Sequence, residues 1–130
     1  MPEIKEIIEE YYARVLNGRE LDTIADYWAD SRMVEAVTKG CLSYFDAFPD
    51  LHISLDELIA EGGSVFVRST FTGTHDGEYK GIPPTGRSVS TDCAEVYRLA
   101  DGKIASYWCL TNVASLMRQL TEEPAVVAAS

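Results

Sequence analysis

The fold is decided between residues 48 and 108, where the chain reads FPDL (48–51), GTHDG (73–77), GIPPTG (81–86), DGKI (101–104) and YW (107–108). Each block falls at the edge of a predicted strand or in a hairpin, because glycine and proline interrupt regular structure there. The stretches between the blocks alternate apolar and polar residues, which is typical of strands with one buried face. The pattern predicts an antiparallel meander over the second half of the chain, with strands starting near Leu51 and covering 65–74, 88–99 and 103–111.

The first half of the chain has helical spacing instead. Apolar residues recur three and four positions apart over 4–15, again over 21–28, and along one face of a longer segment that Ser31 could cap and Pro49 would end. A last helix is predicted over 112–120. Helices followed by a meander indicate an α+β domain in which the helices cover one face of the sheet.

Composition narrows the classes of partner. The chain has 130 residues, a net charge of −10 and 46% hydrophobic residues, which fits one globular domain. An acidic chain is a poor match for nucleic acid or for an anionic membrane surface, so neither is expected as a partner. No basic and apolar leader precedes the first helix, which favours a cytoplasmic protein.

The sequence offers no cofactor motif. Three cysteines, Cys41, Cys93 and Cys109, lack paired or metal-type spacing and are interpreted as reduced, half-buried residues. There is no zinc-type cluster, phosphate-binding loop, dinucleotide fingerprint or nucleophile elbow. We therefore expect chemistry without a cofactor or metal.

Taken together, the five blocks resemble the SnoaL-like polyketide cyclases, a branch of the nuclear transport factor 2-like superfamily. The resemblance covers about half of the sequence. It implies a curved antiparallel sheet that forms a cone with the N-terminal helices around one pocket, a single SnoaL-like domain over 1–120 and a flexible tail over 121–130. It also implies a homodimer formed across the outer face of the sheet, where apolar residues would otherwise meet water.

The resemblance fails in two places. Relatives usually carry a further strand before the helix that ends at Phe48, but here residues 29–40 are about a dozen residues too short for it. Either this protein has trimmed the strand or a piece of it is missing from the sequence. The aspartate that usually serves as general acid/base in the family falls on Asn112, which cannot take up a proton. Asn112 could still donate a hydrogen bond to an enolate, or it could only cap the last helix.

Strand parity selects the other candidates. Strict alternation puts Trp108, Leu110 and Asn112 on one face of the last strand, where Trp108 would form either a pocket wall or plain core. On the preceding strand Cys93, Glu95 and Tyr97 share a face. Trp108, Tyr97, Cys93 and Leu110 are the predicted ligand contacts.

Glu95 is the main candidate for acid/base chemistry. The segment 95–99 (EVYRL), with the following glycine turn and Tyr107-Trp108, is also similar to the ketosteroid isomerases, which hold an acid at this position beside the developing oxyanion. A carboxyl group in an apolar pocket can give or take a proton near neutral pH. The alternative is a glutamate that faces solvent. His75, in the GTHDG block, could shuttle protons or could hold the hairpin through the backbone.

Two classes of function follow. The first is an enzyme that takes a small apolar or aromatic carbonyl compound, such as a polyketide, and carries out aldol-type ring closure or isomerisation, with Glu95, Asn112 and His75 as catalytic candidates. The second is a non-catalytic module that has lost the family aspartate and binds a small molecule or dimerises. A pocket with several convergent polar groups would favour the enzyme.

Overall fold

The structure, a computed structural model, describes residues 3–122. Helix α1 spans Ile4–Tyr11 and continues directly into a π-helical segment, Tyr12–Asn17. A short 3-10 helix, Leu21–Asp26, leads to helix α2, Ser31–Ala47. The cap of α2 is Asp30 and not the expected Ser31, because the Asp30 side chain accepts a hydrogen bond from the Arg32 N–H at 2.8 Å.

Four strands follow in the predicted order. They are β1 (His52–Glu61), β2 (Ser64–Thr74), β3 (Ser88–Ala100) and β4 (Lys103–Thr111), and helix α3 (Val113–Thr121) closes the described chain. Neighbouring strands are antiparallel and the sheet order is β1-β2-β3-β4. The predicted α+β fold with a curved antiparallel sheet is confirmed. Of the predicted tail 121–130, Thr121 belongs to α3, and 123–130 lie outside the described residues.

Two bulges break strict alternation. One lies between Leu55 and Glu57 on β1, and it turns Ile59 to the outer face, where it is 52% exposed. The other leaves Ala105 on β4 without a partner, because Leu99 pairs with Ile104 and Arg98 with Ser106. An extra residue reverses which side chains face the core beyond it and bends the sheet.

The buried residues form two clusters. The first joins α1 and the 3-10 helix to one end of the sheet and contains Ile8, Val15, Ile24 and Val65. The second joins the end of α2 to α3 and contains Phe48, Phe71 and Leu116. A cavity lies between them, since its lining takes residues from both clusters.

One asparagine ties the helical layer to the sheet. Asn17 Nδ2 donates to the Ile53 carbonyl at 2.9 Å, and the Ile53 N–H donates to Asn17 Oδ1 at 2.8 Å. The amide side chain thus pairs with β1 as a neighbouring strand would. It fixes the π-helical segment at the start of this edge strand.

The long connection between β2 and β3 docks on the end of α2. The N–H groups of Asp76 and Gly77 both donate to the Ala47 carbonyl at 3.1 Å, which satisfies an acceptor at the helix C-terminus. A side chain at Gly77 would collide with the Asp46 carbonyl oxygen. Glycine is therefore required at this position.

The free edge of β4 has only one partner. A single parallel bridge joins Trp28 to Ile104, through Ala29 N–H to the Ile104 carbonyl and Ile104 N–H to the Tyr27 carbonyl. Within 3–122 no other residue pairs with this side of β4. The further strand that the resemblance implied before α2 is not found within 3–122, where Trp28–Ile104 is the only bridge on this side of β4 and Ser31 already begins α2. Within the same range, no helix is both long and apolar enough to cross a membrane.

Candidate functional site

The cavity between α2 and the sheet has a volume of about 440 Å³, within the usual range for small-molecule sites. Its helical wall is apolar and includes Met33, Val37, Tyr44 and Phe45 of α2. Its sheet wall has apolar residues at Ile53 and Phe71 and carries most of the polar groups of the cavity, which belong to Ser69, Thr91, Cys93, Glu95, Tyr97, Tyr107, Cys109 and Thr111. A ligand inside would meet a mostly apolar surface, with most of the hydrogen-bonding groups on the sheet side.

The arrangement of these polar groups follows from strand register. Glu95 pairs with Val67 on one side and Cys109 on the other, so these three side chains form one row across the inner face. The next row towards α3 holds Ser69, Cys93 and Thr111 in the same way. The sheet therefore gathers residues from three strands around Glu95.

Glu95 is the centre of a buried cluster of three oxygen atoms. Its side chain is only 8% exposed, and its Oε2 accepts hydrogen bonds from the Tyr12 hydroxyl at 2.6 Å and from the Tyr97 hydroxyl. The two hydroxyl oxygens are themselves 2.9 Å apart. No hydrogen bond from residues 3–122 reaches Oε1, so this second oxygen is left for a ligand.

The tyrosines around Glu95 are held in their protonated form. Burial, followed by the neighbouring Glu95 carboxyl group, raises the pKa of the Tyr12 hydroxyl well above its ordinary value. Burial likewise raises the pKa of Tyr97 and of Tyr107, whose rings lie 5.2 Å apart. These phenols act as hydrogen-bond donors and do not act as bases near neutral pH.

Tyr11 offers a further donor to the cavity. Its hydroxyl oxygen accepts a hydrogen bond from the Trp28 indole N–H at 3.3 Å. No residue in the described part of the chain accepts the hydroxyl proton of Tyr11, and burial raises the pKa of this group. The buried hydroxyl of Ser69 is likewise without a partner among these residues, and both side chains line the cavity.

All three cysteines line the same cavity, and none is in a disulfide. Burial raises the pKa of the Cys41 thiol to about 11 and also raises that of Cys93. The Sγ atoms of Cys93 and Cys109 each lie 3.6 Å from Thr111 Oγ1. Cys41 and Cys93 are half-buried, as the sequence indicated, and their thiols are neutral near neutral pH. The expectation of a half-buried Cys109 is wrong, because Cys109 lies on the open strand β4 and is exposed. Among the residues described, no group of three or more His, Cys, Asp or Glu is arranged to hold a metal ion.

Three predicted site residues come together on the cavity wall: Glu95, Tyr97 and Cys93. The interpretation of Glu95 as a solvent-facing residue is wrong, since its side chain is buried. Its proposed role in proton transfer remains a prediction.

The expected position of Trp108 and Leu110 is wrong. The bulge at Ala105 reverses the alternation of β4, so Tyr107 and Cys109 line the cavity in their place. Trp108 and Leu110 lie on the outer face, where they are 54% and 61% exposed. Neither residue can contact a ligand inside the cavity.

Asn112 does not reach the cavity either. Its Oδ1 accepts a hydrogen bond from the Ser115 N–H at 3.1 Å, which makes it the N-cap of α3. Its Nδ2 donates to Asp92 Oδ1 at 3.3 Å. The residue is exposed, so the capping alternative is the one that its geometry supports.

His75 is fully buried, but it holds the hairpin and does not line the cavity. Its Nδ1 lies 2.9 Å from Thr85 Oγ1 and accepts from the Thr85 N–H at 3.2 Å, while its backbone pairs with Gly86 and Arg87. The Nε2 atom has no partner in the described chain. The structure therefore places His75 as a hairpin residue and not at the site.

Tyr11, Tyr12 and Tyr107 were not predicted as site residues. Tyr11 and Tyr12 belong to the apolar face of the first helix, where helical spacing predicts core packing and gives no sign of a carboxyl group nearby. Tyr107 was assigned to the wrong face of β4. The sequence did contain one signal for Tyr12, which directly follows Tyr11. Two neighbouring tyrosines on a buried helix face need hydrogen-bond partners for their hydroxyl groups.

Comparison with known proteins identifies the family. The model of the SnoaL-like polyketide cyclases matches residues 6–120. The chain belongs to the SnoaL-like polyketide cyclase family. Among curated protein sequences there is no significant match to this SnoaL-like chain.

Solved structures share the fold of this chain. AclR from Streptomyces galilaeus, a candidate hydroxylase, is 30% identical, with a TM-score of 0.80 over 95% of this chain and 83% of that one. TsrD from Streptomyces laurentii is 25% identical, with a TM-score of 0.81 over 91% and 94% of the two chains. A SnoaL-like polyketide cyclase from Agrobacterium tumefaciens shares the fold at 21% identity, with a TM-score of 0.80 over 92% and 99%.

Proposed function

We propose that this SnoaL-like protein is an enzyme that moves protons on a small apolar or aromatic carbonyl compound without a cofactor. The observation that carries the proposal is the buried Glu95, whose Oε2 is held by two tyrosine hydroxyls while Oε1 is left for a ligand. A carboxyl group fixed in this way is positioned for general acid/base catalysis.

In the proposed reaction, Glu95 removes one proton from the substrate and later returns it. Oε1 of Glu95 takes a proton from the carbon next to the substrate carbonyl, and the C–H electron pair becomes the C=C bond of an enolate. The Tyr11 hydroxyl, whose proton has no acceptor in the described chain, donates to the enolate oxygen. The enolate carbon then attacks a second carbonyl, and Glu95 returns its proton to the new alkoxide. Return of the proton to a different carbon would instead give an isomerisation.

The substrate class is supported by the shape of the cavity. A volume of about 440 Å³ with an apolar wall formed by α2 suits a polycyclic or folded polyketide-like compound. Tyr44 and Phe45 of α2, together with Phe71 of β2, give the cavity aromatic rings that can pack on a flat ligand. One of the similar structures is named a polyketide cyclase, which supports a polyketide-like substrate. Another is a candidate hydroxylase, so the same fold is associated with more than one reaction.

A second candidate function is a binding module without catalysis. The observation in its favour is that Asn112, on which the resemblance places the family's acid/base, caps a helix outside the cavity. In this case Glu95 and the tyrosines would only satisfy the polar group of a bound ligand.

Exchange of carbon-bound hydrogen distinguishes the proton-transfer enzyme from the non-catalytic binding module. A bicyclic ketone such as tetralone is incubated with the protein in heavy water, and deuterium uptake next to its carbonyl is followed by mass spectrometry. The enzyme proposal expects uptake above background with the wild type and background uptake with Glu95→Gln, which keeps the shape of the side chain but has no group that ionises.

The matched control is Glu35→Gln. Glu35 is exposed on α2 and pairs with Lys39, so exchange should match that of the wild type. Exchange that persists in Glu95→Gln would refute the role of Glu95. Calorimetric binding of tetralone by a wild type that catalyses no exchange would favour the binding module.

A further inference from the structure

Beyond Ile104, strand β4 is exposed on both of its faces and along its outer edge, from Ala105 to Leu110. Trp108 and Leu110 lie open on the outer face, and on the inner face Tyr107 is 40% exposed although it lines the cavity. Beyond Ile104, the outer edge has no strand partner among residues 3–122. An apolar strand left open on both faces and along one edge needs a cover.

The opposite edge of the sheet is protected in ways that β4 is not. Strand β1 carries Asp56, Glu57 and Glu61, contains a bulge, and is covered at Ile53 by the side chain of Asn17. Charges and bulges are the usual devices against edge-to-edge pairing. From 104 to 112 the chain has no charged residue and no proline, and its bulge comes before the open segment.

We propose that a second copy of this chain pairs with β4 edge to edge, antiparallel about a two-fold axis. A strand can pair with itself in this way because the same edge is presented by both copies. The whole chain carries a net charge of −10, so two copies repel each other except where the contact is free of charge, as it is along β4.

Such pairing would complete the site. Tyr107 and Cys109 line the cavity from the open strand and are both exposed, so a copy along the edge would cover them. Trp108 and Leu110 of both copies would meet on the outer face of the joined sheet. The cavity would then be walled on a side where one chain leaves it open.

This arrangement differs from a dimer formed across the outer face. One row of the outer face runs through Ile59, Phe66, Val96 and Trp108. A face-to-face dimer would bury both ends of this row, whereas an edge dimer buries Trp108 and leaves Ile59 in water. Ile59 and Trp108 are almost equally exposed, at 52% and 54%, which makes them a matched pair.

The test is sedimentation velocity of Trp108→Lys and Ile59→Lys over micromolar concentrations, without ligand. The proposal expects a wild-type dimer, an unchanged dimer for Ile59→Lys, and dimerisation weakened about tenfold or more for Trp108→Lys, because two ammonium groups would face each other. Circular dichroism checks that each variant is folded. If Trp108→Lys fails to fold, Leu110→Lys replaces it.

Tryptophan emission gives a second measurement. Trp28 is buried, so a shift of the emission maximum to longer wavelength on dilution reports the exposure of Trp108. Loss of the dimer in both lysine variants would assign the contact to the outer face and overturn the proposal. A wild type that stays monomeric at high micromolar concentration would also overturn it, and residues 123–130 of the same chain would then be the next occupant to test.

Discussion

The Tyr12 hydroxyl donates a hydrogen bond to Glu95 Oε2 across 2.6 Å, although 83 positions separate the two residues in the chain. This contact joins the helical layer to the centre of the sheet. It is buried, so the carboxyl oxygen has no water to replace a lost donor.

Tyr12→Phe should therefore lower the free energy of unfolding by about 1–3 kcal/mol, measured by urea denaturation, because it removes a donor to a buried acceptor. Tyr97→Phe should cost a similar amount. The double variant should differ from the sum of the single changes, since both hydroxyls bond the same oxygen. Strictly additive costs would mean that the three oxygens do not act as one cluster.

Asn112→Ala should lower the free energy of unfolding by about 1 kcal/mol and leave ligand affinity unchanged, because it removes only the cap of α3. Asn112→Asp keeps the cap but places a second carboxylate beside Asp92, which now receives the Asn112 amide. We expect a small loss of stability and no gain of activity from the Asp variant. Proton-transfer activity created by Asn112→Asp would show that this position reaches the ligand.

Two glycines should respond in opposite ways to alanine. Gly77→Ala should destabilise by about 3 kcal/mol, because its Cβ would collide with the Asp46 carbonyl under the hairpin. Gly40→Ala should stabilise by about 0.5–1 kcal/mol, since it lies inside α2 with nothing near its Cβ position. Gly40 also lines the cavity, so its methyl group should weaken binding of a bulky ligand while Gly77→Ala should not. Thermal denaturation and calorimetry measure both effects.

Alkaline pH should unfold the protein steeply. Folding raises the pKa of Tyr11, Tyr12 and Tyr97 by burial, so their protonated forms stabilise the folded state below the unfolded tyrosine pKa of about 10. That stability is lost as pH rises above about 10, where the unfolded chain ionises first. Phenolate absorbance and circular dichroism should therefore change together. Full ionisation near pH 10 in a folded protein would contradict the burial of these hydroxyls.

The sequence predicted the strands well because turns and alternation are local. Predicted and observed ends agree within one or two residues for β2, β3 and β4, since glycine and proline mark the connections between them. Glu95 and Tyr97 were placed on the correct face because β3 is regular over the segment that carries them.

The wrong predictions of side-chain position come from features that strict strand alternation and local motifs do not include. The extra residue at Ala105 places Tyr107 on the cavity face of β4 and turns Trp108 to the outer face. The bulge on β1 turns Ile59 to the outer face in the same way. The contact of Tyr12 with Glu95 depends on how the helices dock on the sheet, and nothing within either segment encodes that distance. His75 and Asn112 were placed near the pocket by their motif positions, whereas backbone and side-chain partners hold both elsewhere.

The double hydrogen bond between Asn17 and Ile53 turns one backbone amide into a reporter for the seating of the N-terminal helical segments on the sheet. Hydrogen–deuterium exchange at the Ile53 amide requires its bond to Asn17 Oδ1 to break, and that bond is made only when the π-helical segment is seated on β1. Any opening of the cavity that lifts the N-terminal helices would therefore register at this amide. An opening that moves α2 alone would leave its exchange unchanged, so this position separates two routes by which a ligand could enter.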